Sequence, residues 1–437
     1  LHLEEGVNGV AGATMIARFW NDHATETEGL PLELREGLIR VARAQELLNE
    51  RFVNRAEVIR TLFFALFTGH HCLLLGRTGT AKSLLVNQIL GALEARGSRL
   101  FAIKASIDDT KDNYFGPIDV VSYRERGVKT RHTGRSILEA DYAFIDEIFD
   151  TNEQVLRDLM LLLSDGVLQE GPTTYRANLR TVFAACNYLR VNEVTEALLD
   201  RFLFKVVIPQ DQDPFMQLQI DLNVCSREFD EPVPFVDQAF VERVVRICRN
   251  ESDELAVTIP TRVLFLKSIV LSTFVARMRK SNATYYVSPR RQARMLELLR
   301  LSALLDGRTE VDEGDLTNLR YMAGILNGEN HEVETFVRTL EETLRFFDVD
   351  PKLKQSTRLV STAFDLARGG ELDGATWGEI TRLAEAAGVR EKVREASWEN
   401  LSRLIEKLEV SLAPLDELRR GCLGLLRKKT EGLHAVM

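Results

Sequence analysis

The stretch LLLGRTGTAKSLL, Leu73 to Leu85, decides the reading of this chain. An apolar run enters a glycine-bearing turn, and a helical pattern begins at about Lys82. The spacing is that of G-x-x-x-x-G-K-[ST], with Ala81 in the slot before the lysine. In such a turn successive backbone N–H groups face inward as an anion nest, and the helix start adds its positive end. Gly76, Thr78, Gly79, Thr80, Ala81, Lys82, Ser83 and Leu84 are therefore the candidate phosphate-binding residues. Lys82 would reach the β- and γ-phosphates of a nucleotide and Ser83 would ligate Mg²⁺. Ala81 stands at the helix start, where right-handed helical angles are expected, whereas Gly76 and Gly79 should be the positions that demand glycine. The plainer alternative is an ordinary strand–turn–helix connection.

Around this loop the pattern is that of an α/β domain. Residues 33–68 read as two amphipathic helices. Strand candidates follow at 71–76, 100–105, 142–147, 181–186 and 204–209, with helices near 82–95 and 151–164. Strands alternating with helices predict a five-stranded parallel sheet covered on both faces. Two segments interrupt the alternation, and both read as hairpins: 117–134, inserted after a short helix, and 165–180, running into the fourth strand. A polar link covers 209–232. Beyond it the pattern is helical, with candidates at 236–250, 260–280, 289–305, 312–326 and 331–346. Three or four more helices follow Pro351. The expected division is an N-terminal extension (1–32), a nucleotide-binding domain (33–212), an all-α lid (235–348) and a C-terminal helical domain (351–437).

Four further stretches carry chemistry. In AFIDEIFD (143–150) a buried strand ends in adjacent acids, which is costly unless they have a task. Asp146 would hold the Mg²⁺ shell and Glu147 would polarise the attacking water as general base; the alternative is a pair of helix-capping acids. Asn187 ends the next strand candidate and could hold the lytic water or sense the γ-phosphate. Arg201, in EALLDRFLF (196–204), could act in trans on a neighbouring subunit's phosphate, or simply pair with Asp200 or Glu196. Ser288-Pro289 is a good helix start, which places Arg290 in a first turn from which it could reach phosphates, with Arg291 competing.

This order of motifs resembles the AAA+ ATPases. GRTGTAKS (76–83), DNYFGPID (112–119) and LQEGPTTYRANLRTVFAACN (168–187) are similar to the MoxR branch, whose loop normally carries alanine in this slot. Residues 52–85 and 287–308 look most like its RavA-type members, although no β-rich insertion is evident after 331. The resemblance implies an AAA+ αβα domain with a helix-2 insert (117–134) and a hairpin before sensor 1 (165–180). It implies Mg²⁺-dependent ATP hydrolysis with Asp146 and Glu147 as Walker B, Asn187 as sensor 1, Arg201 as arginine finger and Arg290 as sensor 2. It also implies a ring, usually a hexamer, that remodels a protein client beside a von Willebrand factor A domain partner.

Composition narrows the field. Hydrophobic and charged fractions of 45% and 28% are those of a globular protein. No uncharged apolar run is long enough to span a membrane, and LHLEEGVNGVAGATM has no signal-peptide character. Five scattered cysteines without a C-x-x-C pair suggest a reduced, cytoplasmic setting, and the histidines show no zinc-ligand spacing. A net charge of −9 argues against a dedicated nucleic-acid binder, and the basic run 124–135 reads as a solvated hairpin. A nucleic-acid motor and a nucleotide-dependent switch or scaffold in a stress or defence operon remain the alternatives at this stage.

Overall fold

A computed structural model describes residues 30–189, 193–210, 213–225, 233, 235–322, 331–391, 393 and 395–434. Nearly all of the expected N-terminal extension lies outside them. The described chain forms two compact units: residues up to Val257 with Ala293–Thr309 and Asn318–Val333, and Thr258–Gln292 with Glu310–Thr317 and Glu334–Met437.

In the first unit, helices α1 (Leu32–Arg51) and α2 (Ala56–Thr68) lead into strand β1 (Cys72–Leu75). Then come α3 (Lys82–Glu94), β2 (Leu100–Lys104), α4 (Lys111–Phe115), α5 (Val120–Arg126), β3 (Tyr142–Asp146) and α6 (Glu153–Asp165). The hairpin β4 (Val167–Glu170) and β5 (Thr173–Arg176) precedes β6 (Thr181–Cys186), α7 (Glu193–Leu199), β7 (Phe204–Val207), α8 (Pro214–Cys225) and α9 (Gln238–Cys248). Five strands make one parallel sheet in the order β2-β3-β6-β1-β7. Its central strands β1 and β6 are buried at every residue, which explains their unbroken apolar runs. Leu73, Ile145 and Val182 from the sheet share a core with Leu159 and Leu162 of α6 and with Tyr114 of α4.

The helices start and stop where local chemistry directs. Asn152 accepts the Val155 N–H to open α6, and Gly166, at φ 67°, closes it. His71 accepts the Val182 N–H at Nδ1 and meets the Leu163 carbonyl through Nε2, both at 3.1 Å. A neutral imidazole protonated on Nε2 satisfies both bonds, and it joins β1 to β6 and to the end of α6.

Three expectations need correction. Residues 117–134 are not a hairpin. Asp119 caps Val121 and Ser122, Gly127 adopts φ 65°, and the segment between them winds into α5; only the bridge Ile118–Arg131 closes its base. The polar link contains α8, none of whose residues is buried. The helix expected at 312–326 is a 3₁₀ segment, Gly314–Met322, opened by Asp312, whose Oδ1 takes the N–H of Gly314 and Asp315; residues 323–326 lie outside the described set. The hairpin at 165–180 is present as the antiparallel pair β4–β5.

The second unit holds α10 (Thr261–Met278), the opening residues of α11 (Pro289–Leu305), most of α12 (His331–Val349), and α13 (Pro351–Arg368), α14 (Gly374–Ala386), α15 (Trp398–Lys407) and α16 (Ala413–His434). Phe265 of α10 shares one core with Leu359, Trp377, Leu404 and Cys422. The unit boundaries therefore differ from those drawn on sequence: α10 packs with the C-terminal helices, while α9 packs on α2 in the first unit. Among the described residues no helix is long and apolar enough to cross a membrane.

Candidate functional site

The C-terminal ends of β1, β3 and β6 lie side by side, the usual place for a ligand in a parallel sheet. From β1 the chain enters the glycine loop. Gly76 is buried, and a Cβ there would meet Ile208 Cβ at 3.0 Å and Thr80 Oγ1 at 3.1 Å, so packing restricts the position to glycine. Gly79 holds φ 84° with open space beside it, so there the backbone sets the demand. Ala81 departs from expectation: it is left-handed, at φ 61° and ψ 25°, rather than right-handed helical. Positive φ at 79 and 81, but not at Thr80 between them, turns successive amides toward one side, which is how a nest is built. The strain of a left-handed alanine is the cost of that geometry.

Lys82 opens α3 and is 6% exposed. Its Nζ donates to the carbonyls of Gly76 (2.6 Å) and Arg77 (3.2 Å) and to Asn187 Oδ1 (2.8 Å). Ser83 Oγ donates to Asp146 Oδ2 at 2.9 Å. Asn187 closes the group: its Nδ2 donates to Glu147 Oε1, and its backbone N–H to Glu147 Oε2 at 3.1 Å. Glu147 takes a left-handed conformation, φ 54°, and its N–H donates to Asp146 Oδ1 at 3.1 Å. That turn ends β3 at Asp146 and points two adjacent acids to different partners. Five residues from three separated stretches thus form one connected polar cluster. Beneath it Cys186 is buried, and burial, then the charge of Glu147, pushes its thiol up to about 12, so it stays a neutral core residue.

Arg201 lies apart from that network. Nη1 reaches Asp200 Oδ2 at 3.2 Å, while Nε is enclosed without a partner among the described residues. Asp200 is exposed, so the pair is a weak anchor. Arg290 is exposed in the second unit, on the first turn of α11, where Ser288 Oγ accepts the Arg291 N–H at 3.2 Å as the expected N-cap. Sequence reasoning missed the link between Lys82 and Asn187, and no local signal announces it, because 105 residues separate the two.

Residues 39–221 match the family described as the MoxR domain in the MoxR-vWA-beta-propeller ternary systems, and residues 268–337 match an AAA lid domain. The likeness is to a MoxR domain over the first segment and to an AAA lid domain over the second. The chain also resembles two uncharacterized proteins of Methanocaldococcus jannaschii: 26% identity over 64% of this chain and 69% of the relative, and 25% over 65% and 70%. A crystal structure of a candidate ATPase from Cytophaga hutchinsonii shares the fold, with a TM-score of 0.54 and 21% identity over 74% of this chain and 97% of that one. A family of this kind implies ATP and, typically, Mg²⁺. The residues fit both: a nest opens beside a helix N-terminus with a lysine at its edge, and Ser83 and Asp146 supply the hard oxygen donors that Mg²⁺ takes.

Proposed function

We propose that this chain hydrolyses ATP in a ring, a hexamer in the family's usual form, to remodel or mature a protein client beside a von Willebrand factor A domain partner. The observation that carries the proposal is the connected cluster of Lys82, Ser83, Asp146, Glu147 and Asn187. In this reading the amides of the loop from Gly76 to Leu84, with the Lys82 ammonium, bind the phosphates. Ser83 and Asp146 would hold Mg²⁺, which would withdraw charge from the phosphate oxygens. Asn187 leaves Glu147 when nucleotide enters, and Glu147 then takes a proton from the attacking water. Arg201 serves the site of the next subunit and Arg290 acts as sensor 2, in preference to Arg291.

Three observations support the assembly. The Nε of Arg201 has no hydrogen-bond partner among the described residues. Helix α8, none of whose residues is buried, carries Phe215, Leu218, Leu222 and Val224 into solvent, an apolar surface that a neighbouring copy would cover. The matching family is described from systems that pair a MoxR domain with a von Willebrand factor A domain and a β-propeller. That description favours the ternary-system branch over the RavA-type likeness. The proposed setting is cytoplasmic.

Mixing tests the shared site. Arg201→Ala and Lys82→Ala are each expected to be inactive, and their mixture to regain part of the activity, because some interfaces then join an intact finger to an intact loop. Absence of recovery at every ratio, with mixed rings demonstrated, would remove the trans assignment.

A further inference from the structure

Arg131 belongs to the basic run expected to be solvated, yet its side chain is 2% exposed. Nε donates to Glu170 Oε2 at 2.7 Å and Nη2 to Glu170 Oε1 at 2.8 Å, a bidentate pair. Nη1 donates to Asp112 Oδ1 at 2.6 Å and to the Gly116 carbonyl. The Arg131 backbone N–H donates to the Tyr175 hydroxyl at 2.8 Å. Glu170 ends β4 and Tyr175 lies on β5, so both strands of the hairpin grip the returning limb of the insert. Hydrogen bonds from Arg131, and its charge, hold the Glu170 carboxyl below its ordinary range.

Such a pair is a poor route to stability alone, since apolar side chains of equal volume often hold a core as well. What it supplies is one fixed geometry. The insert needs that, because Val120, Val121 and Tyr123 of α5 are 69%, 63% and 56% exposed. The orientation of α5 is therefore set at its base. Gly116 closes that base at φ 86°, where a Cβ would sit 2.0 Å from the His132 carbonyl oxygen. The other end of the connection reaches the candidate site. Glu147 leads through the 3₁₀ turn Ile148–Asp150 into α6, and α6 passes through Gly166 into β4. Lys111 pairs with Asp158 and Asn152 bonds the Asp109 carbonyl, which binds α4 to the same body.

We propose that Arg131 is a positioning residue: it makes the insert helix and the β4–β5 hairpin one body, so that a displacement of α6 at the Glu147 end moves α5 with it. The inference rests on the proposed nucleotide site. It names the mechanical connection from that site to the exposed face of α5.

Hydrogen–deuterium exchange on the full chain tests it, read at residues 118–130 with Mg-ADP and with a non-hydrolysable Mg-ATP analogue. The wild type is expected to show a several-fold difference in exchange between the two states. Arg131→Lys and Glu170→Gln are expected to bind nucleotide and hydrolyse ATP at the basal rate, and to lose that difference. A merely structural role would raise exchange equally in both states and leave the difference intact, which overturns the proposal. So does a wild type that binds nucleotide without any difference at the insert. A wild type that binds no nucleotide sinks the site reading first, and this proposal with it. Glu170→Gln preserves side-chain volume and carries the test if Arg131→Lys does not fold.

Discussion

Lys82 Nζ lies 2.8 Å from Asn187 Oδ1, and the same amide donates through Nδ2 to Glu147. One side chain therefore holds both the cation expected on the phosphates and the acid expected on the water. Asn187→Ala should remove one tether from each, leaving Lys82 on the Gly76 and Arg77 carbonyls and Glu147 on the backbone N–H of residue 187. ATP affinity is expected to change little, because backbone amides carry most of the phosphate contacts, while turnover should fall on the order of 10²-fold. Titration with a fluorescent ATP analogue and steady-state hydrolysis separate the two effects. A variant that hydrolyses normally would show that the link is incidental.

The loop supplies a second comparison. Gly79→Ala places a Cβ at φ 84° and is expected to cost about 1–2 kcal/mol locally and to weaken ATP binding. Ala81→Gly relieves a residue already left-handed at φ 61° and should bind ATP at least as well as the wild type. Isothermal titration of each variant decides it; an Ala81→Gly variant with markedly weaker binding would contradict the left-handed assignment.

The alanine marks the limit of what the sequence discloses. The glycine loop between β1 and α3, the acid pair that ends β3, the five strands and the hairpin at 165–180 were all legible, because each is local: an apolar run, a turn residue or a fixed spacing announces it. Ala81 was misjudged because a residue type reports preference, not the angles that a loop imposes. The insert was misread because VVSYRER has β-branched residues suited to a strand, whereas Asp119 and Gly127 at its ends cap a helix. Arg131 looked like one more surface cation because its partner Glu170 lies 39 residues away. The exposed helix α8 was hidden in a stretch that looked merely polar, with no buried face to give it a period.

A buried histidine gives a prediction on pH. His70 Nε2 lies 2.6 Å from Glu297 Oε2, and Arg294 donates to Nδ1. Burial outweighs the carboxylate and lowers His70 from 6.5 to about 4, so the fold holds it neutral. Burial opposes the charge of Glu297, but His70, Arg294 and Arg249 together hold its carboxyl below the ordinary value. The unfolded chain then binds more protons than the folded one as pH falls from 6.5 toward 4, so stability is present above that window and lost through it. The His70 contribution is about 3 kcal/mol at most. Urea denaturation at several pH values should show this loss, reduced in His70→Gln; an unchanged slope in the variant would rule the histidine out as its source.

Gly116 offers a check on the insert. Gly116→Ala should clash with the His132 carbonyl and loosen α5 without reaching the phosphate loop. ATP binding is expected to be retained while limited proteolysis within 117–134 accelerates. Protection equal to the wild type would mean that the base of the insert tolerates a side chain there.

In the proposed mechanism Glu147 activates water for ATP hydrolysis, and Glu147→Gln is the sharpest test of that role. The substitution keeps the shape and one of the two hydrogen bonds from Asn187 while removing the base. The account requires the variant to bind Mg-ATP as the wild type does and to hydrolyse it on the order of 10²-fold or more slowly. Wild-type turnover by Glu147→Gln, measured as phosphate release on the same preparation, would contradict it.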